Sequence, residues 1–225
     1  KNGAPIVVKA DGLAAGKGVS ICNSIEEAAE KTKEILDGKF KSSNQVVLEE
    51  FLEGEELSYF AIVDENSYHF FGSAQDHKRV GEGDLGPNTG GMGAYSPSPL
   101  LTDKLEKKIK KRIIEPTLQS MKNLGHPYKG FLYAGLMINK GEPHLIEYNI
   151  RLGDPECQAL MLRLKTDFVD IIDYATKNKI SKLKIKWSKK NSITVVVCAK
   201  GYPSSYIKDS EIKNLKKILT NKNNQ

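Results

Sequence analysis

Cysteine is scarce in this chain of 225 residues: there are three, at positions 22, 157 and 198. An odd number of widely spaced cysteines does not form a disulfide framework, and none has a near neighbour with which it could bind a metal ion. A membrane-length apolar run and a signal-peptide pattern are also lacking. These absences predict a reduced, cytoplasmic protein without a membrane partner.

Aromatic residues are not interleaved with the lysines, although the net charge is +6. The lysines crowd residues 104–111 and 177–190 and recur over 208–222. Surfaces that bind single-stranded nucleic acid combine such charge with aromatic rings that stack on bases. A solvated lysine-rich surface is therefore favoured, and no nucleic-acid partner is expected. A basic nucleic-acid-binding module is the alternative.

A P-loop is missing as well, although Gly16-Lys17 invites the comparison. Gly12 and Gly16 are separated by three residues instead of four, and Gly18 stands where Ser or Thr is needed. The segment lies between two predicted strands, residues 5–10 and 19–22, and not between a strand and a helix. This pattern favours a hairpin flap whose amides close over phosphate, with a plain hairpin turn as the alternative.

The chain does carry the periodicities of a mixed globular protein, with 39% hydrophobic and 28% charged residues. A capping box at Ser24 and a glycine at 38 predict a helix over 25–36, and Thr102 begins another that Pro116 kinks or restarts. These and further segments predict an α+β fold. The other predicted helices cover 155–164 and 168–176, and the predicted strands cover 45–50, 57–63, 69–74, 131–139, 142–152 and 192–199.

One segment, residues 75–99, has no periodicity and is rich in glycine. A structureless run of this length inside a compact chain is usually functional or disordered. Charged and aromatic residues punctuate it, which favours an ordered binding loop over a disordered linker.

The strand predicted over 142–152 alternates apolar and polar residues. Its apolar members face one way, and Glu147, Asn149 and Arg151 face the other. Two oxygen ligands at this spacing suit Mg²⁺, and a guanidinium one step further suits an anionic substrate. The alternative is an ordinary amphipathic strand.

Five blocks of the chain, in order and spacing, resemble the glycinamide ribonucleotide synthetase family. The resemblance runs from about residue 5 to about residue 206 and implies an ATP-grasp fold, in which two α+β parts clasp the nucleotide. The blocks are Lys9-Ala-Asp-Gly-Leu-Ala-Ala-Gly-Lys-Gly-Val19, Glu49-Glu-Phe-Leu-Glu-Gly-Glu-Glu56, Ser73-Ala-Gln-Asp-His-Lys-Arg79, Gly86-Pro-Asn-Thr-Gly-Gly-Met-Gly-Ala-Tyr95 and Arg151-Leu-Gly-Asp-Pro-Glu156.

The resemblance implies that ATP drives ligation of glycine to 5-phosphoribosylamine through glycyl phosphate, in de novo purine biosynthesis. ATP and Mg²⁺ (or Mn²⁺) would be the cofactors, the partners would be these small molecules, and the protein would be a monomer. The reaction needs no Ser-His-Asp or Cys-His arrangement, and the sequence shows none.

The resemblance also implies roles for individual residues. Catalytic roles would fall to Arg151, Lys78 and Arg79, and metal binding to Glu147 and Asn149. Nucleotide binding would involve Lys9, Ala14, Ala15, Gly16, Lys17, Gly18, Glu49, Glu50, Phe51, Leu52 and Glu56. Substrate binding would involve Asp76, Asn88, Thr89, Gly90, Gly91, Met92, Gly93 and Asp154, although Asp154 also fits a helix N-cap.

The chain departs from the family pattern in two respects. The strand over 131–139 has no carboxylate, so the ligands of a second metal ion stay open. The chain also begins where the family's central domain begins, which indicates a fragment that is inactive alone, or a nucleotide-binding remnant without turnover. The expected domains are a lid subdomain (1–56), a large subdomain with the metal site (57–187) and the start of an incomplete C-terminal domain (188–225).

Overall fold

A computed structural model describes residues 3–14, 18–83 and 85–214. The chain divides into two compact units, Lys1–Glu53 and Gly54–Gln225. The three central residues of the predicted flap, 15–17, lie outside the described residues.

The first unit is a three-stranded antiparallel sheet with one helix. Its elements are β1 (Ile6–Ala10), β2 (Val19–Cys22), helix α1 (Ile25–Glu34) and β3 (Val46–Glu50). The strand order is β2-β1-β3, so β1 pairs with both neighbours. The apolar faces of the sheet and the helix meet in a small core made of Val8, Cys22, Ala28 and Ile35.

The ends of α1 follow the predicted signals. Ser24 is the N-cap, and its hydroxyl accepts a hydrogen bond from the amide of Glu27 at 3.1 Å. At the other end the helix widens into a π turn, Ile35–Lys39, within which Gly38 has a φ of 95°. A left-handed residue ends a helix at least cost when it is glycine, and the predicted stop at Gly38 is confirmed.

The second unit is built on a six-stranded sheet. Its strands are β4 (Glu55–Val63), β5 (Tyr68–Asp76), β6 (Arg79–Gly81), β7 (Leu85–Asn88), β8 (Gly93–Ser96), β9 (Gly130–Asn139), β10 (Glu142–Asn149) and β11 (Ser192–Val195). Its helices are α2 (Asp103–Ile109), α3 (Glu115–Asn123), α4 (Glu156–Arg163) and α5 (Phe168–Thr176). The large sheet has the order β10-β9-β4-β5-β8-β11, and β6 and β7 form a separate hairpin.

Helices cover both faces of the large sheet, which explains why its central strand β4 is buried along most of its length. On one face, Leu57 and Tyr59 share a core with Ile109 of α2. On the other face, Phe60 shares a core with Leu160 of α4, and Ile171 of α5 belongs to the same core. Alternate residues of one strand thus serve two cores, and a continuous apolar run results.

Two predictions need correction, one for a loop and one for a strand. Residues 75–99 are ordered, as predicted, but they do not lack regular structure, because they contain the β6–β7 hairpin and strand β8, which joins the large sheet. The predicted buried strand over 192–199 is instead a four-residue edge strand, in which Ile193 is 68% and Val195 72% exposed. An apolar run of this length fits a buried strand or an edge equally well, so its composition could not decide.

The end of β10 also differs from the prediction. The strand stops at Asn149, and Ile150 is 78% exposed, so the alternation does not continue to residue 152. Asp154 is not the N-cap of α4: Pro155 holds that position, and the carboxylate of Asp154 accepts a hydrogen bond from Gln158 Nε2 at 2.7 Å. Within the described residues, no helix has the length and apolar character needed to cross a bilayer.

Candidate functional site

A β-bulge sets the direction of the polar side chains on β10. Leu145 pairs with Leu136 of β9, and Glu147 pairs with Gly135, the neighbour of Leu136. Between these two pairs β10 advances by two residues and β9 by one, so Ile146 is the extra residue of the bulge. The extra residue shifts the alternation by one step. Glu147 and Asn149 therefore point to the face opposite Leu145.

The pairing of the strands extends this row of polar side chains, the polar row, across the sheet. Gly135 pairs with Ser58 of β4, and Ser58 pairs with Ala74 of β5, so Glu147 shares a face with both. Glu56 and Asp76 lie two residues away from Ser58 and Ala74 and belong to the same face. Strands far apart in the sequence thus bring carboxylates to one side of one sheet.

The pair Glu147 and Asn149 fits a magnesium ion. Gly135 offers no side chain opposite Glu147, and a Cβ built there would lie 3.4 Å from Glu147 Cγ. Asn149 Nδ2 donates to Glu147 Oε1 at 3.1 Å, and turning the amide over would present two oxygens side by side. No cluster of three His, Cys, Asp or Glu residues with metal-binding geometry occurs among the described residues. Mg²⁺ needs only one or two protein ligands when phosphate supplies others.

Lys78 brings positive charge to the same region. Its ammonium group lies 2.7 Å from Glu56 Oε2. Burial opposes the charge of this lysine, but Glu56, Asp76 and Glu147 outweigh that effect and raise its pKa. Lys78 therefore stays charged beside these acidic side chains.

Asp76, at the end of β5, has an unusual carboxyl group. Its Oδ1 atom is buried without a hydrogen-bond partner among the described residues. Burial and the nearby charge of Glu156 raise the pKa of Asp76 to about 7, with Lys78 acting in the opposite direction. A carboxyl group with these properties is a common sign of a functional site.

The predicted substrate loop, residues 88–93, folds back on the two residues that follow Asp76, His77 and Lys78. Thr89 anchors it, since its amide and its hydroxyl both donate to the carbonyl of Lys78, at 2.7 and 2.8 Å. His77 and Met92 form a further bond, with Met92 N donating to His77 O at 2.7 Å. Backbone bonds of this kind hold a glycine-rich loop in one conformation.

Tyr202, far away in the sequence, holds the same loop. Its hydroxyl accepts a hydrogen bond from Gly90 N at 3.0 Å. We expect Tyr202→Phe to lower the hydrogen-exchange protection of the Gly90 amide several-fold, because one neutral hydrogen bond contributes about 1 kcal/mol. Tyr206→Phe is the matched control, since the Tyr206 ring contacts that of Tyr202 without holding the loop. Equal protection in all three proteins would contradict the anchoring role.

The remaining predicted residues of this unit lie in the β6–β7 hairpin and in the segment between β10 and α4. Arg79 donates to the carbonyl of Gly86 at 2.7 Å, within the β6–β7 hairpin. Arg151 follows β10 and is exposed, with one bond to the carbonyl of Leu152 at 2.9 Å. Asp154 is exposed at the turn before α4.

The first unit holds the predicted nucleotide-binding residues at the ends of its strands. Lys9 of β1 lies 2.5 Å from Glu49 Oε2 of β3, and Glu50 ends that strand. A Cβ on Gly18 would lie 2.5 Å from the Cβ of Ala14, so only glycine fits where the two limbs of the flap approach. Phe51 and Leu52 follow β3 and are half-buried.

Sequence reasoning missed a buried network beside Asp76. Glu156 is 2% exposed, and Ser58 Oγ donates to its Oε1 at 3.0 Å. Tyr133 completes the network, with its hydroxyl 3.0 Å from Ser58 Oγ. An acidic residue in the first turn of a helix is common on the surface, so no sequence signal indicates that this one is buried.

Residues 1–157 match the model of the family described as phosphoribosylglycinamide synthetase, ATP-grasp (A) domain. The chain is 52% identical over 219 residues to phosphoribosylamine–glycine ligase of Vigna unguiculata, and the match covers 96% of this chain and 70% of that protein. It is 48% identical to the Brucella melitensis ligase over 97% of this chain and 51% of that protein. The chain thus spans only part of the length of these relatives, about half in the bacterial one.

Solved structures show the same fold. A crystal structure of phosphoribosylamine–glycine ligase from Thermotoga maritima superposes with a TM-score of 0.80 at 38% identity, over 90% of this chain and 51% of that one. Biotin carboxylase from Campylobacter jejuni, solved as a β-γ-ATP complex, superposes with a TM-score of 0.62 at 17% identity, over 85% of this chain and 41% of that one. At that identity the second likeness concerns the fold alone.

Proposed function

Since the chain belongs to the phosphoribosylglycinamide synthetase family, we propose that it is the ATP-grasp part of an enzyme that ligates glycine to 5-phosphoribosylamine. ATP phosphorylates the glycine carboxylate, the sugar amine displaces phosphate from glycyl phosphate, and glycinamide ribonucleotide, ADP and phosphate result. The observation that carries the proposal is the polar face of the large sheet. The Glu147–Asn149 pair lies there on β10, and Glu56, the ion-pair partner of Lys78, lies on β4, with β9 between the two strands.

In this proposal Glu147 and Asn149 hold Mg²⁺, which neutralises charge on the nucleotide phosphates when it is bound. The chemistry of the two side chains supports this, because a carboxylate and an amide oxygen are hard ligands. Mn²⁺ prefers similar ligands and is a second possible ion. The biotin carboxylase domain of a 2-oxoglutarate carboxylase from Hydrogenobacter thermophilus, which shares the fold, was solved with Mg·ADP, and this supports a magnesium nucleotide as the ligand.

The first unit contributes to nucleotide binding. Lys9 and the amides on either side of the flap, including Gly18, contact phosphate. Residues 50–52 contact adenine, largely through their backbone, and Glu49 belongs to the same nucleotide-binding segment. Glu56, at the start of β4, binds the ribose hydroxyls. The close approach of Gly18 and Ala14 supports a flap that presents backbone amides, because any side chain at 18 would force its two limbs apart.

The second unit contributes to substrate binding. Lys78, Arg79 and Arg151 offset the negative charge that builds up on the acyl phosphate and the sugar phosphate. Asp76, Asp154 and the loop 88–93 position glycine and the amine. Phosphoryl transfer requires mainly positioning and charge neutralisation, so these groups suffice without a nucleophilic side chain.

The remaining parts of the proposal concern the whole protein. It acts in the cytoplasm on small molecules and comprises a lid subdomain over 1–56, a large subdomain over 57–187 and the start of a further domain from 188. A chain that binds nucleotide without turnover is the second candidate, and it is favoured by the share of the relatives' length that this chain spans.

The proposed reaction predicts ADP formation that depends on both glycine and 5-phosphoribosylamine. We expect it from the complete polypeptide encoded by the gene, measured by a coupled assay for ADP, and not from the 225-residue chain alone. Omitting either substrate is the control. ADP formation by neither protein, with Mg·ATP binding retained, would favour the nucleotide-binding alternative.

A further inference from the structure

The carboxyl group of Glu156 is almost fully enclosed, being 2% exposed. Ser58 donates to Glu156 at 3.0 Å, and the hydroxyl of Tyr133 is hydrogen-bonded to Ser58 and to Glu156. No basic side chain forms an ion pair with Glu156 within the described part of the chain. Burying a carboxylate without a cation is costly, and such a position is expected to have a specific use.

Glu156 fixes the turn that precedes it. A Cβ built on Gly153 would lie 2.2 Å from Glu156 Oε2, so the turn folds directly over the carboxylate. Cys157 N donates to the carbonyl of Gly153 at 2.9 Å and closes the turn. The backbone conformation of residues 153–155 therefore depends on the place of this side chain.

The same turn touches the substrate loop and Asp76. A Cβ on Gly91 would lie 2.4 Å from Pro155 Cδ and 3.0 Å from both Asp154 O and Asp76 Oδ1. Three segments, residues 76, 91 and 153–155, thus meet at one place. The unpartnered oxygen of Asp76 lies at that place.

Four groups act on the charge of Asp76. Burial has the largest effect, and Glu156 of α4 and Glu56 of β4 further disfavour the ionised form. Lys78 and the backbone amide of His77 favour it. The charge of Lys78 is itself compensated by Glu56, which leaves Glu156 as the strongest of the neighbouring charges.

We infer that Glu156 is a positioning residue: it holds the 153–155 turn against Gly91 and places a negative charge behind Asp76, so that Asp76 takes up a substrate ammonium group in exchange for a proton. The neutral carboxyl group of Asp76 releases its proton to solvent, and the resulting carboxylate pairs with the ammonium group. The substrate class is an α-amino acid in its zwitterionic form. Its identification as glycine rests on the proposed function, but the carboxyl pair does not.

The pair can be tested without nucleotide or turnover, by ¹³C NMR of the side-chain carboxyl groups of the 225-residue chain over a pH series. We expect Asp76 to titrate near neutral pH, and Glu156→Gln to lower its midpoint by on the order of one pH unit. Glutamine keeps the size of the side chain and an oxygen that accepts from Ser58, so that mainly the charge is lost. A midpoint within a few tenths of the original value would overturn the inference.

Tyr133→Phe is the matched control. It removes a hydroxyl from the same network and leaves the charge of Glu156 in place, so the Asp76 midpoint should stay where it was. If Glu156→Gln does not fold, the unmodified chain still gives an answer. The Glu156 resonance should then shift at the midpoint of Asp76, and Asp76→Asn should remove that step. Its absence in the unmodified chain would overturn the inference.

Turnover separates this inference from the proposed function. In the complete polypeptide, the KM for glycine should fall about tenfold between about pH 6 and about pH 8, as Asp76 ionises, and less steeply in Glu156→Gln. An enzyme that ligates glycine with the same pH profile in both forms would retain the proposed function and refute the role of Glu156. A shifted Asp76 midpoint without any turnover would support the role of Glu156 and refute the proposed function.

Discussion

Replacing Glu147 by alanine is expected to weaken binding of Mg·ATP to this chain by at least about tenfold, which corresponds to about 1.4 kcal/mol. The side chain lies opposite Gly135, with Asn149 as its neighbour on the same face, and it is the only carboxylate of that pair. Without it, a bound ion would keep one amide ligand from β10. Isothermal titration calorimetry measures the change directly, and Asn149→Ala should follow in the same direction.

A carboxylate elsewhere on the same strand supplies the control. Glu142 lies at the start of β10, where it pairs with Lys108 and Arg112, away from the polar row. Glu142→Gln removes one negative charge from the strand and should leave the affinity for Mg·ATP unchanged. Unchanged affinity in the Glu147 and Asn149 variants as well would refute the metal assignment.

Gly91→Ala is expected to cost about 2 to 5 kcal/mol of unfolding free energy and to abolish substrate binding at the loop. Gly91 has a φ of 120°, which L residues rarely adopt, and a Cβ would lie 2.4 Å from Pro155 Cδ. Backbone strain of about 1 to 2 kcal/mol adds to a steric clash of about 1 to 3 kcal/mol. Urea unfolding measures the first effect.

Gly83→Ala is the control that measures the cost of backbone strain without a steric clash. Gly83 also has a positive φ, 67°, but nothing lies within 4 Å of a Cβ built there. This variant should cost only the strain, about 1 to 2 kcal/mol. If both variants lost the same unfolding free energy, the contact between the loop and the 153–155 turn would contribute nothing to stability.

Local chemistry explains why several elements could be predicted from the sequence. Ser24 and Thr102 accept hydrogen bonds from the third residue after each, as N-caps do, and α5 occupies the predicted residues. These signals act over three or four residues, so they survive in any tertiary context. The opposite orientations of Glu147 and Tyr148 also follow from local alternation.

Features that depend on distant residues could not be predicted in the same way. Ser192 to Val195 looks like a buried strand, yet nothing in those residues says that, within the described part of the chain, β8 alone would pair with them. Glu156 looks like a surface residue of a helix N-terminus, because its partners Ser58 and Tyr133 lie 98 and 23 positions away in the sequence. Its role became visible only when the sheet brought the three together.

The extra residue of the β-bulge, Ile146, divides β10 into two halves with different roles. The first half of β10 anchors to α2 through Lys108 and Glu142, and the second half presents Glu147 and Asn149. Because the offset arises between the two halves, substitutions that repack the anchoring half do not rotate the presenting half. Within the eight residues of β10, the contacts with α2 can therefore change while Glu147 and Asn149 keep their orientation.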